Sequence, residues 1–216
     1  MALLLYCPWL ARELHGQVST QSEDVILEFI VSESAFCGWQ SNWQDMDPDF
    51  NLLNFRPGQD IGLHPRFVDS LSTGNIQSGN KLSLTCFSPS GKRAVYPFGF
   101  SEIYLKDNHY QIGFDDSTPV LFYDYEQGKV CEVLRSGTYS PEINGLAWLN
   151  DTLLLAVGAT WKLGRPDSVA ATLMILDFVE MRMSTLTGNF VVASSYYGKR
   201  TGSFVVEPFL VFKFLD

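Results

Sequence analysis

Leu84-Thr85-Cys86-Phe87-Ser88-Pro89-Ser90-Gly91-Lys92-Arg93-Ala94-Val95 and Gly145-Leu146-Ala147-Trp148-Leu149-Asn150-Asp151-Thr152-Leu153-Leu154-Leu155-Ala156 read as one unit written twice. Each is a strand, a tight polar turn and a second strand. Each is followed by a strand that ends in Asp, Val120-Leu121-Phe122-Tyr123-Asp124 and Leu173-Met174-Ile175-Leu176-Asp177. Internal repetition decides fold class ahead of other signals. It also limits what can be said of function, because repeat folds serve many unrelated purposes.

Outward from these units the chain reads as strand after strand. Alternating or short apolar runs fall at Lys81–Phe87, Arg93–Pro97, Glu102–Lys106, Tyr110–Phe114, Val120–Tyr125, Val130–Arg135, Ile143–Leu149 and Leu153–Gly158. They continue at Ala171–Phe178, Arg182–Thr187, Phe190–Ser194 and Ser203–Phe214. Ser90-Gly91, Asp107-Asn108, Gln127-Gly128, Asn150-Asp151 and Gly188-Asn189 supply turn chemistry between them. That rhythm predicts an all-β, antiparallel protein: propeller-like, or alternatively a β-barrel or β-sandwich. The first 80 residues are less regular. Asp24–Ser32 reads as a buried strand, and Gly38–His64, rich in Trp, Asn, Asp, Pro and Gly, as a long loop. Ser70–Asn80 reads as a connector. The expectation is one domain over residues 1–216 with an irregular N-terminal region.

The segment Cys86-Phe87-Ser88-Pro89-Ser90-Gly91-Lys92 resembles the "F-S-P-D-G-K" hairpin of WD-repeat β-propellers. The pattern continues through Phe122-Tyr123-Asp124 and Gly128-Lys129-Val130. A second blade is similar at Ile143-Asn144-Gly145-Leu146-Ala147-Trp148-Leu149-Asn150-Asp151 and closes at Ile175-Leu176-Asp177. The resemblance covers residues 81–187 and implies blades of antiparallel strands stacked around an axis. Asp at the strand end is placed to accept hydrogen bonds from turn backbone. The spacing departs from the family: 61 residues separate Phe87 from Trp148 and 53 separate Asp124 from Asp177, against about 40–45 in a regular blade. Part of the surplus, Gly99–Thr118, has room for an extra hairpin. No Gly-His dipeptide precedes either blade.

Composition narrows the classes further. A hydrophobic fraction of 46% suits a globular chain and not a disordered one. The longest apolar runs, Ala2–Leu5 and Thr152–Ala159, fall far short of the roughly 20 residues that span a bilayer. Met1–Ala11 lacks a basic start and is broken by Pro8 and Trp9, unlike a signal peptide. Cys7, Cys37, Cys86 and Cys131 lack the short separations of metal or redox motifs. A reduced, cytoplasmic protein is expected. The net charge of −9 is concentrated in residues 1–80, which carry −7. An acidic face repels phosphate backbones, so no nucleic-acid partner is expected.

Few residues suggest chemistry. His15, His64 and His109 lie far apart, with no partner at ligand spacing. Asp45-Met46-Asp47-Pro48-Asp49 alternates carboxylates as a calcium loop does. Phe50 and Arg56, however, occupy positions where such a loop needs Gly and Glu, and the bland reading is Asp side chains capping turns. No Gly-x-Ser-x-Gly elbow and no phosphate loop is present. Glu13, Glu28, Glu33, Glu102 and Glu142 are carboxylates without a visible acid–base arrangement. No catalytic residue, metal or cofactor is therefore assigned.

Two aromatic segments remain as binding candidates. Trp39 and Trp43 flank the acidic loop among amides. They either pack that loop onto the domain, anchor a protein interface or stack on a small ligand or sugar. Tyr196, Tyr197, Lys199 and Arg200 form a basic, aromatic hairpin tip. The expected function is non-enzymatic protein–protein binding or scaffolding through exposed loops. Trp43→Ala is then expected to weaken binding and leave the melting temperature nearly unchanged. A small-ligand or carbohydrate binder on a barrel or sandwich is the alternative, and a hydrolase or isomerase using dispersed carboxylates a third reading. A homodimer is open, since an exposed sheet edge can pair with a second copy.

Overall fold

The computed structural model describes residues 26, 28–33, 36–68, 79–99, 103–106, 109–112, 117–137, 142–162, 165–193 and 205–206. The chain forms two compact units, Met1–Glu33 and Ser34–Asp216. In the first, residues 26 and 28–32 are helical, and Glu33 N donates to Phe29 O at 2.8 Å. The strand expected there is a helix. A short apolar run has no periodicity that separates a buried helix from a buried strand, and β-branched content is a weak guide.

The second unit is mostly β, and its strands pair antiparallel. Helix α1 (Cys37–Met46) and a 3₁₀ turn (Leu52–Asn54) precede the strands. β1 (Arg56–Gly62) and β2 (Arg66–Phe67) follow, then a helical turn at Gly79–Leu82. The remaining strands are β3 (Cys86–Phe87), β4 (Arg93–Tyr96), β5 (Ile103–Lys106), β6 (His109–Ile112), β7 (Ser117–Asp124), β8 (Lys129–Gly137), β9 (Glu142–Trp148), β10 (Leu153–Lys162), β11 (Arg165–Asp177), β12 (Arg182–Ala193) and β13 (Val205–Val206). One five-stranded sheet, here sheet A, runs β1-β12-β11-β10-β9; the other, sheet B, runs β2-β8-β7-β4-β3. β5 and β6 form the extra hairpin for which the long spacing left room, and with β13 they make a small third sheet.

The repeat is visible in the topology. β9–β12 is an uninterrupted four-strand meander, and β3, β4, β7 and β8 make the same meander with the β5–β6 hairpin inserted. Each meander takes its fifth strand from earlier in the chain, β1 beside β12 and β2 beside β8.

Turn chemistry closes the hairpins. Gly91 N donates to Ser88 O at 2.8 Å with Gly91 in the left-handed region (φ 70°). In the second repeat Asn150 Oδ1 accepts from Thr152 N and Leu153 N at 2.8 and 2.9 Å. The Asp residues that end β7 and β11 act alike. Asp124 Oδ1 accepts from Gln127 N at 3.0 Å, and Asp177 Oδ1 from Val179 N and Glu180 N at 2.8 and 3.0 Å.

Alternation sorts the side chains onto two faces of each sheet. One face of each contributes to a shared core: Cys86, Val95, Phe122, Cys131 and Val133 from sheet B, and Leu146, Trp148, Leu154, Ala156, Met174, Leu176 and Met183 from sheet A. The sheets pack face to face through it. Phe178 stacks on Phe122 with centroids 4.2 Å apart, and Trp148 Nε1 donates to Cys86 O at 3.0 Å. Sheet B's opposite face buries Ala94, Tyr96, Leu121, Tyr123 and Val130.

Three further expectations change. Lys81–Phe87 is strand only at Cys86–Phe87, because the chain first makes the Gly79–Leu82 turn of helix. Gly188-Asn189 is no turn: β12 runs through it, and the register against β11 shifts between Ala170 and Thr172. Glycine inside a strand marks such irregularities. Gly38–His64 is not an irregular loop but carries α1, the 3₁₀ turn and β1.

Candidate interaction surface

The segment from β1 to β2 belongs to both sheets. β1 pairs with β12 of sheet A and β2 with β8 of sheet B, so Leu63-His64-Pro65 is a strap across their outer edges. Leu63 is buried in the shared core, and its N–H donates to Met181 O at 2.7 Å. The apolar residues on either side of it are not buried. Ile61 is 42% exposed and Phe67 71% exposed. Phe67 sits opposite Cys131 in the register, on the core side of sheet B but beyond the core's edge. Lys129 Nζ lies 5.7 Å from its ring centroid and also donates to Gln127 Oε1 at 2.8 Å. Arg66 and His64 are exposed on the same strap.

β1 itself is exposed along its length and guarded against pairing with another strand. It carries Arg56, Pro57 and Asp60, and its register breaks between Pro57 and Asp60. Charge, proline and irregularity are the usual protections of an edge. The accessible feature is therefore the side-chain surface of the strap and not its backbone.

A polar cluster ties the two repeats together at their hairpin turns. Asp151 Oδ1 accepts from Ser90 N at 2.9 Å, and Arg93 Nη1 donates to Asp151 O at 2.8 Å. Partial burial pushes the Asp151 carboxyl up, but hydrogen bonds from the Ser90 amide and from the Ser90 and Ser88 hydroxyls, with Arg93 nearby, hold it below the usual range. Burial, and then Tyr123, drive the Tyr96 phenol well above its ordinary value. Burial likewise raises the Cys131 thiol, which makes it a core residue and a poor nucleophile.

The sequence candidates divide. Trp39 and Trp43 lie in the interior, the packing role among the three that the sequence allowed. They share one face of α1 at a spacing of four and are both buried. Trp39 packs edge-on to Phe50 and Phe55, Trp43 stacks on Phe50, and Trp39 Nε1 donates to Gly158 O at 3.0 Å. Side chains this buried do not leave stability unchanged when truncated, so the mild effect expected of Trp43→Ala is withdrawn. Tyr196, Tyr197, Lys199 and Arg200 lie outside the described residues. Asp47 Oδ1 accepts from Asp49 N at 3.0 Å, a turn within the acidic segment. His64 is exposed, and His109 falls on β6. Among the described residues no group of three His, Cys, Asp or Glu is placed to hold a metal, and no helix is long and apolar enough to cross a membrane. Phe67 was not legible as a surface residue, because an aromatic beside Val68 reads as core.

These features define an antiparallel β protein of two facing meander sheets joined at their outer edges by the Leu63-His64-Pro65 strap, with Ile61 and Phe67 exposed on the strands beside it. Set against known protein families, curated proteins and solved structures, the chain matches none.

Proposed function

We propose that the protein is a non-enzymatic binding or scaffold domain that meets another protein along the β1–β2 strap. The observation that carries this reading is Phe67, an aromatic ring 71% exposed in a unit that buries Tyr96, Phe122 and Phe178. Aromatic side chains are enriched at protein interfaces, and the Lys129 ammonium stands 5.7 Å from the centroid of this ring. We read the two meanders as propeller-like blades. The support is the shared strand order, the Asp that closes each third strand's turn, and the face-to-face packing. The Tyr196–Arg200 tip remains a second contact candidate on sequence alone. A cytoplasmic setting is consistent with free Cys37, Cys86 and Cys131. The carbohydrate-binding reading loses ground, since the Trp39 and Trp43 rings that motivated it face inward.

A photo-crosslinking residue placed at 67 tests the surface, with the same residue at exposed Gln44 as control. The expected result is one adduct from position 67 that is missing from 44 and disappears when Lys129 is changed to Glu. Equal labelling at both positions, or none at 67, overturns the proposed surface.

A further inference from the structure

The β2–β8 edge of sheet B differs in charge from the chain that carries it. Residues 63–68 and 129–137 hold three basic groups, Arg66, Lys129 and Arg135, and one acid, Glu132, a net of +2 in a chain whose net charge is −9. All three basic side chains are exposed. Glu132 is engaged within the edge, because Arg135 Nε and Nη2 donate to its two oxygens at 2.9 and 3.1 Å. Glu126, in the turn before β8, pairs with Lys92 at 2.9 Å. Among the described residues neither Arg66 nor Lys129 lies within ion-pair distance of a carboxylate.

Phe67 gives the same edge an apolar anchor. Its ring is 71% exposed, and Lys129 Nζ stands 5.7 Å from the ring centroid. Gln127 Oε1 accepts from that ammonium at 2.8 Å. An ammonium has three N–H donors, so two remain beside the ring. Arg66 precedes Phe67 and stands opposite Glu132 in the register, on the other face of the edge. The arrangement is complementary to an apolar side chain with carboxylates next to it in sequence.

We propose that the β2–β8 edge docks an acidic segment of another protein, with an apolar side chain on Phe67 and carboxylates on Lys129 and Arg66. The proposal rests on the strap being an interface and adds the chemistry of the partner. A nucleic acid is the poorer fit. It brings a row of phosphates and binds through many basic contacts, whereas this edge offers two uncommitted cations in an acidic chain. A protein segment brings carboxylates singly, beside apolar residues. Opposite charge across such an interface steers encounter and selects the partner more than it adds affinity.

The test uses the full chain and three fluorescent probes read by anisotropy. Two are peptides of equal length, one alternating Glu with Leu and Phe and the other with Lys for every Glu; the third is a single-stranded oligo-dT. The acidic peptide is expected to bind at least about tenfold more tightly than either other probe. Arg66→Glu and Lys129→Glu should each weaken it at least about threefold, as should salt at roughly 1 M. Phe67→Ala should weaken it at least about tenfold. The same charge change at exposed Arg56, on the edge of sheet A, should leave it unaltered. Equal binding of the two peptides, tighter binding of the oligonucleotide, no binding of the acidic peptide, or equal losses from Arg66→Glu and Arg56→Glu overturns the acidic partner. Photo-crosslinking from position 67 separates this from the broader reading. An adduct that survives both charge reversals keeps the interface and removes the acidic partner, whereas no adduct at 67 removes both.

Discussion

At the scale of single residues, two glycines of different kinds separate strain from crowding. Gly128 closes the β7–β8 turn at φ 62° with open space around its α-carbon, and the matching place in the other repeat is held by Met181 at φ 47°. A side chain is thus tolerated there at a backbone cost, and Gly128→Ala should destabilise by about 1–2 kcal/mol. Gly158 has no such unusual φ, but a β-carbon on it would collide with the Glu142 carbonyl on β9. The β9 and β10 backbones would have to part, so Gly158→Ala should cost about 3 kcal/mol or more, as overpacking does. Urea unfolding of both variants checks the order, and a Gly158→Ala loss smaller than that of Gly128→Ala would refute it. Asp151 gives the pH counterpart. Its folded pKa is depressed, below an unfolded value of about 3.9. Its contribution is present above that unfolded value and is lost as pH falls through the folded one. Asp151→Asn should therefore flatten the acid limb of the urea midpoint below about pH 4, where the wild type declines. An unchanged slope would mean that the hydrogen bonds from Ser90 and Ser88 do not favour the charged form.

At the scale of elements, the aromatic stack joins the two sheets. Phe122 comes from β7, and Phe178 follows Asp177 at the end of β11; they lie 4.2 Å apart at 9°. Either change to Ala should cost about 3–5 kcal/mol, and the double-mutant cycle should return a coupling of about 0.5–1.5 kcal/mol. Strict additivity would show that the two rings pack independently. The same elements explain how much the sequence disclosed. Ser88-Pro89-Ser90-Gly91, Asn150-Asp151, Asp124 and Asp177 were legible because each satisfies backbone groups within a few residues. Local chemistry of that kind needs no tertiary context. Helix α1 was not legible, since Gly38, Ser41 and Asn42 argue against it locally and only docking on sheet A favours it. Its one signal was the Trp39–Trp43 spacing of four. Gly188-Asn189 carried true turn composition, and its place inside β12 is decided by pairing with β11. Of the candidate surface, the sequence showed nothing at Phe67. Whether an aromatic at a strand end is covered depends on where the neighbouring sheet stops.

At the scale of the whole 34–216 unit, the shared core decides how the protein unfolds. Sheet B turns Cys86, Val95, Phe122, Cys131 and Val133 toward sheet A, and sheet A returns Leu146, Trp148, Leu154, Met174 and Leu176. Neither set is buried without the other. The strap adds a covalent tie, with β1 in one sheet and β2 in the other. Two sheets that bury one core cannot melt separately, because separating them exposes both faces at once, at about 25 cal/mol for each Å² of apolar surface. Far-UV circular dichroism, which follows strands in both sheets, and near-UV signal from Trp148, buried between them, should therefore give coincident transitions in urea, the mark of two-state unfolding. A chain ended after Gly137 keeps every strand of sheet B but loses β9–β12. It should show no cooperative transition, since β7 and β8 would present Phe122, Cys131 and Val133 to water. A cooperative transition in that shortened chain would mean that sheet B is a complete folding unit, and the two repeats would then be neighbours that touch and not halves of one core.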